Sequence, residues 1–279
     1  MRKIVIERPG GYERLLMKDF ETPRPEGSQV LVEIKACGVN YADVLVRWGV
    51  YESAKKFVGW PITPGFEYSG VVLSTGSKVT RFKAGDRVVG VNLFGGYASH
   101  ICADQNYIFP LPENWSFEQA AGMPAVYLTA YHALFQNVLI RPGAKVLVHS
   151  AAGGVGTALL QMCRLKGYFA VGVVGTSHKV ETAREFGANW VIDKSREDLW
   201  ARAREFCPEG YDIILDANGV STLGDSFNHL RASGKLLVYG FHSMLPKQGG
   251  RLNWLKLAVD YLRTPVFRPF HMTNKNKSV

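Results

Sequence analysis

Cysteine is scarce and poorly placed for ligation. The four residues, Cys37, Cys102, Cys163 and Cys207, form no CxxC pair, and their spacings are long and irregular. That pattern supports neither a disulfide framework nor a four-cysteine zinc site, and reduced thiols in a cytoplasmic protein are the natural reading. There is no Lys/Arg-rich run, zinc knuckle or paired-aromatic RNA signature. The net charge of +9 over 279 residues therefore reads as general basicity, and no nucleic-acid partner is expected. The opening MRKIVIERPGGYE carries one basic pair and then a short strand-like run, which is not the pattern of a leader. Residues 119–140 contain no Asp, Glu, Lys or Arg. They are long enough to span a bilayer, but Gln119, Pro124, Thr129, His132, Gln136 and Asn137 would all need partners in lipid. The expectation is a largely buried helix of a soluble domain. No integral span is expected, and peripheral membrane association is left open.

What is present is a globular composition, 47% apolar and 20% charged, enough for one large core or two modest ones. Residues 1–123 show short β-like runs at 30–34, 70–74, 87–91 and 97–103, separated by Gly/Pro-rich stretches such as PRPEG, GWPITPG and KAGD. This predicts a mainly antiparallel β domain. Residues 124–265 change pattern. Strand candidates at 145–149, 170–174, 190–192, 211–216 and 235–239 alternate with helical stretches at 157–166, 179–186, 197–206 and 221–230. Apolar strands alternating with amphipathic helices predict βαβ units on a doubly wound parallel sheet, an α/β domain.

The strand KVLVH runs into Ser150-Ala151-Ala152-Gly153-Gly154-Val155-Gly156 and then into TALLQMCRLKG. This is a dinucleotide-binding turn with Ala151 in the first glycine position. Gly153 permits close approach of the pyrophosphate, Gly156 permits the helix to pack on the strand, and the helix N-terminus offers free N–H groups. An NAD-preferring site places an acid at the end of the second strand, yet residues 157–180 contain none. The strand ends instead in Gly175-Thr176-Ser177-His178-Lys179, and a hydroxyl with a lysine suits the 2′-phosphate of NADPH. A solvated turn with a surface lysine is the plainer alternative.

The blocks ACGVNYADVLVRWGVY, PITPGFEYSGVV, KAGDRVVG, YLTAYHAL, VLVHSAAGGVG and GKLLVYG together resemble the quinone oxidoreductase subfamily of the medium-chain dehydrogenases/reductases, and within it the vesicle amine transport protein branch. The resemblance implies a GroES-like catalytic domain followed by a Rossmann domain. It also implies hydride transfer from NADPH to a quinone or an activated alkene (enone), and a homodimer. Zinc-dependent relatives carry a Cys in the first block and a Gly-His-Glu in the second. Here Asn40-Tyr41-Ala42-Asp43 and Gly65-Phe66-Glu67 stand there, with no four-cysteine lobe after Gly85-Asp86-Arg87-Val88. Since catalytic zinc needs three protein ligands, the resemblance implies no metal. It places the nicotinamide between the domains and makes Asn40 and Tyr51 the candidate donors to the acceptor oxygen. Each has a plain alternative, Asn40 as a turn residue and Tyr51 as a half-buried aromatic, and Asp43 reads as a structural acid. Thr129, Gly240 and Phe241 are implied near the nicotinamide end. Lys194 falls where a tyrosine often helps to hold the 2′-phosphate. Members of that branch include membrane-associated proteins, so an NADPH-binding adaptor with weak or no catalysis is a second expectation. The family also continues beyond residue 279, so residues 266–279 read as the start of a return to the first domain, cut short.

Overall fold

A computed structural model describes residues 1–246 and 252–279. They divide into two compact units, 1–125 and 126–246 with 252–279.

In the first unit β1 (Arg2–Val5) pairs antiparallel with β2 (Leu16–Asp19). Then come β3 (Gln29–Cys37), α1 (Tyr41–Trp48), α2 (Glu52–Phe57), β4 (Glu67–Thr75), β5 (Arg87–Val91), β6 (His100–Asp104), β7 (Ile108–Pro110) and α3 (Phe117–Ala121). The strands β3 to β7 form an antiparallel sheet in the order β6-β3-β4-β5-β7. Val30, Val32, Tyr68, Val72, Val88, Ile101 and Ile108 pack into its core. The insertion of α1 and α2 between two adjacent strands brings the ends of β3 and β4 together with the N-terminus of α1.

The second unit carries most of α4 (Pro124–Tyr131), followed by β8 (Lys145–Val148), α5 (Gly154–Leu165), β9 (Phe169–Val174), α6 (Val180–Glu185), β10 (Trp190–Asp193), α7 (Leu199–Phe206), β11 (Tyr211–Asp216), α8 (Leu223–Asn228), β12 (Leu230–Val238), α9 (Trp254–Leu262) and α10 (Pro269–Lys275). The sheet is parallel throughout, in the order β10-β9-β8-β11-β12. Ala158, Leu159, Leu160, Cys163 and Ala183 cover one face from α5 and α6. Leu199, Ala203, Leu223 and Phe227 cover the other from α7 and α8. From β8 the chain winds outward through β9 and β10, then crosses to β11 and β12 on the other side. The winding therefore reverses between β8 and β11, and ligands of open α/β sheets bind at the carboxyl ends of the strands at such a reversal.

Three expectations are corrected. Residues 119–140 do not form one largely buried helix. Pro124 begins α4, because proline has no N–H to continue the preceding helix and is tolerated only in the first turn. Much of the stretch is also exposed, including Leu128, Tyr131 and Leu139. Among the described residues no helix is long and apolar enough to cross a membrane. The expected helix 221–230 ends at Asn228, and Leu230 begins β12 instead. The stretch 266–279, expected to begin a return to the first unit, is seated on the second. Phe267 packs on Phe227 with ring centroids 5.1 Å apart, and Lys277 Nζ donates to the carbonyls of Phe227 and Asn228.

Candidate active site

In the first unit Asn40 is the N-cap of α1, and its backbone N–H donates to the Asp43 carboxylate at 2.9 Å. That carboxylate also accepts from Gly65 N (2.9 Å) and the Tyr97 hydroxyl (3.0 Å). Asp43 is thus structural, tying α1 to the loop before β4. The Asn40 side-chain Nδ2 donates to Glu67 Oε1 at 2.7 Å, and the other oxygen of Glu67 accepts from Ala125 N, also at 2.7 Å. Glu67 is 1% exposed, and no cation pairs with it among the described residues. Burial raises its carboxyl above the usual range, against the lowering effect of its two donors; Asp43 is raised by burial as well. Tyr51 is half-buried. Its ring packs edge-on against Phe66 and Phe94, at centroid distances of 5.7 and 6.4 Å, and burial raises its hydroxyl. Phe66 therefore sits within an aromatic cluster. Among the described residues no group of three or more His, Cys, Asp or Glu is placed to hold a metal.

In the second unit the turn 150–156 leaves β8 at the reversal point. Gly153 caps α5, and the N–H groups of Gly154, Val155 and Gly156 lie in its first turn, where no intrahelical acceptor exists. A Cβ on Gly156 would come within 2.3 Å of the Ser150 carbonyl oxygen, so only glycine lets the helix start this close to the strand. Beside it, after β11, comes the segment 217–219. It is clamped by Asp216, whose Oδ1 accepts from Asn218 N and Gly219 N at 2.8 and 3.0 Å. Ser150 Oγ donates to Asn218 Oδ1 at 3.1 Å. The residues after β12 join this corner: His242 N donates to Ala217 O at 3.1 Å and Ser243 N to Asn218 O at 2.9 Å. Gly240 and Phe241 are thereby brought beside the turn. Beneath it His149, fully buried, lies 3.1 Å from Ser226 Oγ, which donates to Asp216 at 2.8 Å.

At the end of β9, Ser177 Oγ donates to Asp193 Oδ2 at 2.5 Å and accepts from Arg196 Nε at 2.9 Å. The acid missing from residues 157–180 is supplied by the neighbouring strand, because Asp193 of β10 pairs with Val174 of β9. The same carboxylate accepts from the Ser195 backbone and hydroxyl, and these hydrogen bonds with Ser177 hold it below the usual range. Lys194 reaches the end of β9, its Cε 3.8 Å from where a Cβ on Gly175 would lie. Lys179 and Thr129 are exposed, on the turn after β9 and on α4 respectively.

Residues 26–113 match the alcohol dehydrogenase GroES-like domain, and residues 154–271 match the zinc-binding dehydrogenase family. The chain is 34% identical over 244 residues to the quinone oxidoreductase of Lama guanicoe, covering 86% of this chain and 73% of that one. It belongs to the medium-chain dehydrogenase/reductase superfamily, in the quinone oxidoreductase and VAT-1-like branch. The synaptic vesicle membrane protein VAT-1 homolog of Danio rerio is 36% identical over 279 residues, all of this chain, which spans 57% of that relative's length. The Escherichia coli quinone oxidoreductase complexed with NADPH superposes with a TM-score of 0.81 at 31% identity, covering 98% of this chain and 82% of that one.

Apart from Thr129 on α4, the residues expected from sequence fall into three local groups. Asn40 and Tyr51 lie in the first unit. Ala152, Gly153, Gly154, Val155 and Gly156 share the reversal point with Gly240 and Phe241. Ser177, Lys179 and Lys194 lie toward the outer end of β9 and β10. Sequence reading missed Glu67, Asn218, Asp193 and Arg196. Glu67 stood in view in the Gly-Phe-Glu block, but only as part of a lost zinc motif. Arg196 follows β10 closely, and a search past the second strand would have found it.

Proposed function

We propose that the chain is an NADPH-dependent oxidoreductase that passes hydride to a quinone or an activated alkene without zinc. The observation that carries this reading is the turn 150–156 at the β8/β11 reversal. There the N-terminus of α5 has no side-chain cap and is exposed at Gly153 and Gly154, and a Cβ on Gly156 would collide with the Ser150 carbonyl of the turn. The residues fit a dinucleotide. The first-turn N–H groups of α5 would hold the pyrophosphate, and Gly240, Phe241 and Thr129 would flank the nicotinamide end. Lys179, Lys194 and Arg196 would meet the 2′-phosphate. Ser177 would do so only by sharing a hydroxyl already bonded to Asp193. When bound, NADPH supplies the hydride. The amide of Asn40 and the hydroxyl of Tyr51 would donate to the acceptor oxygen as it gains charge. Zinc independence rests on ligand types: Asn40 and Phe66 replace a thiolate and an imidazole, and an amide and a phenyl ring cannot replace them as ligands.

Titrating the protein with NADPH and NADH, then following NADPH oxidation with a panel of quinones and enones, tests the reading. Binding of NADPH at least tenfold tighter than NADH, with turnover that survives chelators, is expected. Absence of dinucleotide binding, or a stoichiometric zinc on metal analysis, overturns it.

A second reading, an NADPH-binding vesicle- or membrane-associated adaptor, draws support from α9, where Trp254, Leu255 and Leu262 are exposed. Co-sedimentation with lipid vesicles together with no turnover of any acceptor would favour it.

A further inference from the structure

We propose that a cavity within the first unit binds a small organic anion, and that Phe94 carries its occupancy to Tyr51. The cavity measures about 300 Å³, and its lining includes Lys3, Thr63, Asn92, Phe94, His100 and Cys102. That volume lies at the lower end for small-molecule sites. The walls are held by main-chain bonds. Lys3 comes from β1, and His100 and Cys102, two apart on β6, share one face of that strand. Pairing with β3 fixes them, His100 opposite Glu33 and Cys102 opposite Leu31. Gly95 N donates to Thr63 O and Ile4 N to Tyr97 O, both at 2.9 Å, so β1 and the loops before β4 and β6 are tied together.

The charge in this cavity has one sign. Its lining contains no Asp or Glu. Lys3 stands opposite Lys18 across β1 and β2, and Lys18 is engaged by Glu7. Lys3 has no carboxylate partner among the described residues, and its ammonium lies 5.2 Å from the centroid of the Phe20 ring. Its charge is felt inside, because it opposes the rise that burial imposes on the Cys102 thiol. Glu33, the acid opposite His100, is taken up by Lys35 at 2.7 Å. A half-buried ammonium without a counter-charge favours an anion, since charge-assisted hydrogen bonds are the stronger ones. Thr63 adds a hydroxyl donor and Phe94 an apolar wall, so an acidic head on a small apolar body suits the site. Phe94 is buried, and its ring also packs on Phe66 and edge-on against Tyr51, at centroid distances of 5.4 and 6.4 Å. A ligand against Phe94 therefore bears on the cluster that holds Tyr51. Neither step depends on the assignment of hydride transfer.

The experiment titrates the full chain with benzoate, its neutral analogue benzamide and inorganic phosphate, and follows residue-resolved NMR signals. These separate the cavity from the N-terminus of α5, which also attracts anions. Benzoate should shift the backbone amides of Lys3, Asn92, Gly95 and Cys102 saturably, and the Tyr51 ring signals should move with the same midpoint. Benzamide to wild type, and benzoate to Lys3→Gln, should bind about tenfold more weakly or worse. Phe94→Leu should keep the amide shifts and lose the response of Tyr51. No saturable shift at these amides, or benzamide binding as tightly as benzoate, overturns the site without recourse to a variant. Phosphate binding as tightly as benzoate overturns the organic assignment. Tyr51 signals that stay still while the cavity fills overturn the coupling.

Discussion

Asn40 and Glu67, 27 positions apart in sequence, meet through a 2.7 Å hydrogen bond in the first unit. Gly38 makes that meeting possible. A Cβ at this position would lie 2.1 Å from Glu67 Oε1 and 2.5 Å from the Ala121 carbonyl oxygen. The backbone oxygen cannot swing aside, so Gly38→Ala must displace the carboxylate or shift α3. A loss of about 1–3 kcal/mol of stability is expected, as for other overpacked sites, with a rise in KM for the acceptor and little change in NADPH affinity. Denaturant unfolding and cofactor titration on the same variant check both parts. Unchanged stability and KM would show that this pocket has room to spare.

Gly156→Ala probes the other unit by the same physics. The added methyl would meet the Ser150 carbonyl at 2.3 Å and the backbone of Ala151 at 2.8 Å, so the start of α5 must move away from β8. Dinucleotide affinity should fall at least tenfold while acceptor-site variants keep theirs. Fluorescence titration with NADPH measures this directly, and retained affinity would mean that the turn is not where the pyrophosphate binds.

Local pattern in the chain was enough to read the parallel sheet. KVLV and YDIILD are apolar runs of strand length, and the glycine-rich turn follows the first of them. The pairing of distant residues was not readable. Asp193 reaches Ser177 because parallel pairing aligns it with Val174, and register between strands separated by a helix leaves no mark in local sequence. The bond between Glu67 and Asn40 is hidden for a similar reason, since two helices intervene between β3 and β4. The uncharged stretch 119–140 misled because composition says nothing of where a helix breaks. Pro124 held that information.

Arg196 and Lys179 should divide the 2′-phosphate between them. Arg196 already donates to Ser177 Oγ, beside Asp193, whose charge works against a phosphate. Removing the arginine leaves that acid less compensated, so Arg196→Ala should cost more NADPH affinity than Lys179→Ala, and Asp193→Asn should strengthen it. NADH affinity should change little in all three. Calorimetric titration of both cofactors provides the comparison, and equal losses for NADPH and NADH would place the adenosine end elsewhere.

His149 makes stability depend on pH. Burial keeps the imidazole neutral and pushes its pKa down to about 4; Asp216 opposes the shift and nearby Lys194 adds to it. In the unfolded chain the same ring takes a proton near pH 6.5. Between these values the unfolded state binds more protons than the folded one, so unfolding free energy must rise with pH across about 4 to 6.5. The slope from this one group approaches roughly 1.4 kcal/mol per pH unit. Above pH 6.5 the ring is neutral in both states and contributes no slope. Asp43 and Glu67 act in the opposite sense, because their raised values make the folded state hold protons longer. The wild-type curve alone therefore mixes the two effects. His149→Gln keeps a donor for Ser226 Oγ and cannot be protonated, so subtracting its denaturant-unfolding profile from that of wild type isolates the histidine. The difference should grow in favour of the variant as pH falls from 6.5 toward 4 and be constant above. A difference that is flat throughout would mean that the ring takes its proton in the fold as readily as in the open chain.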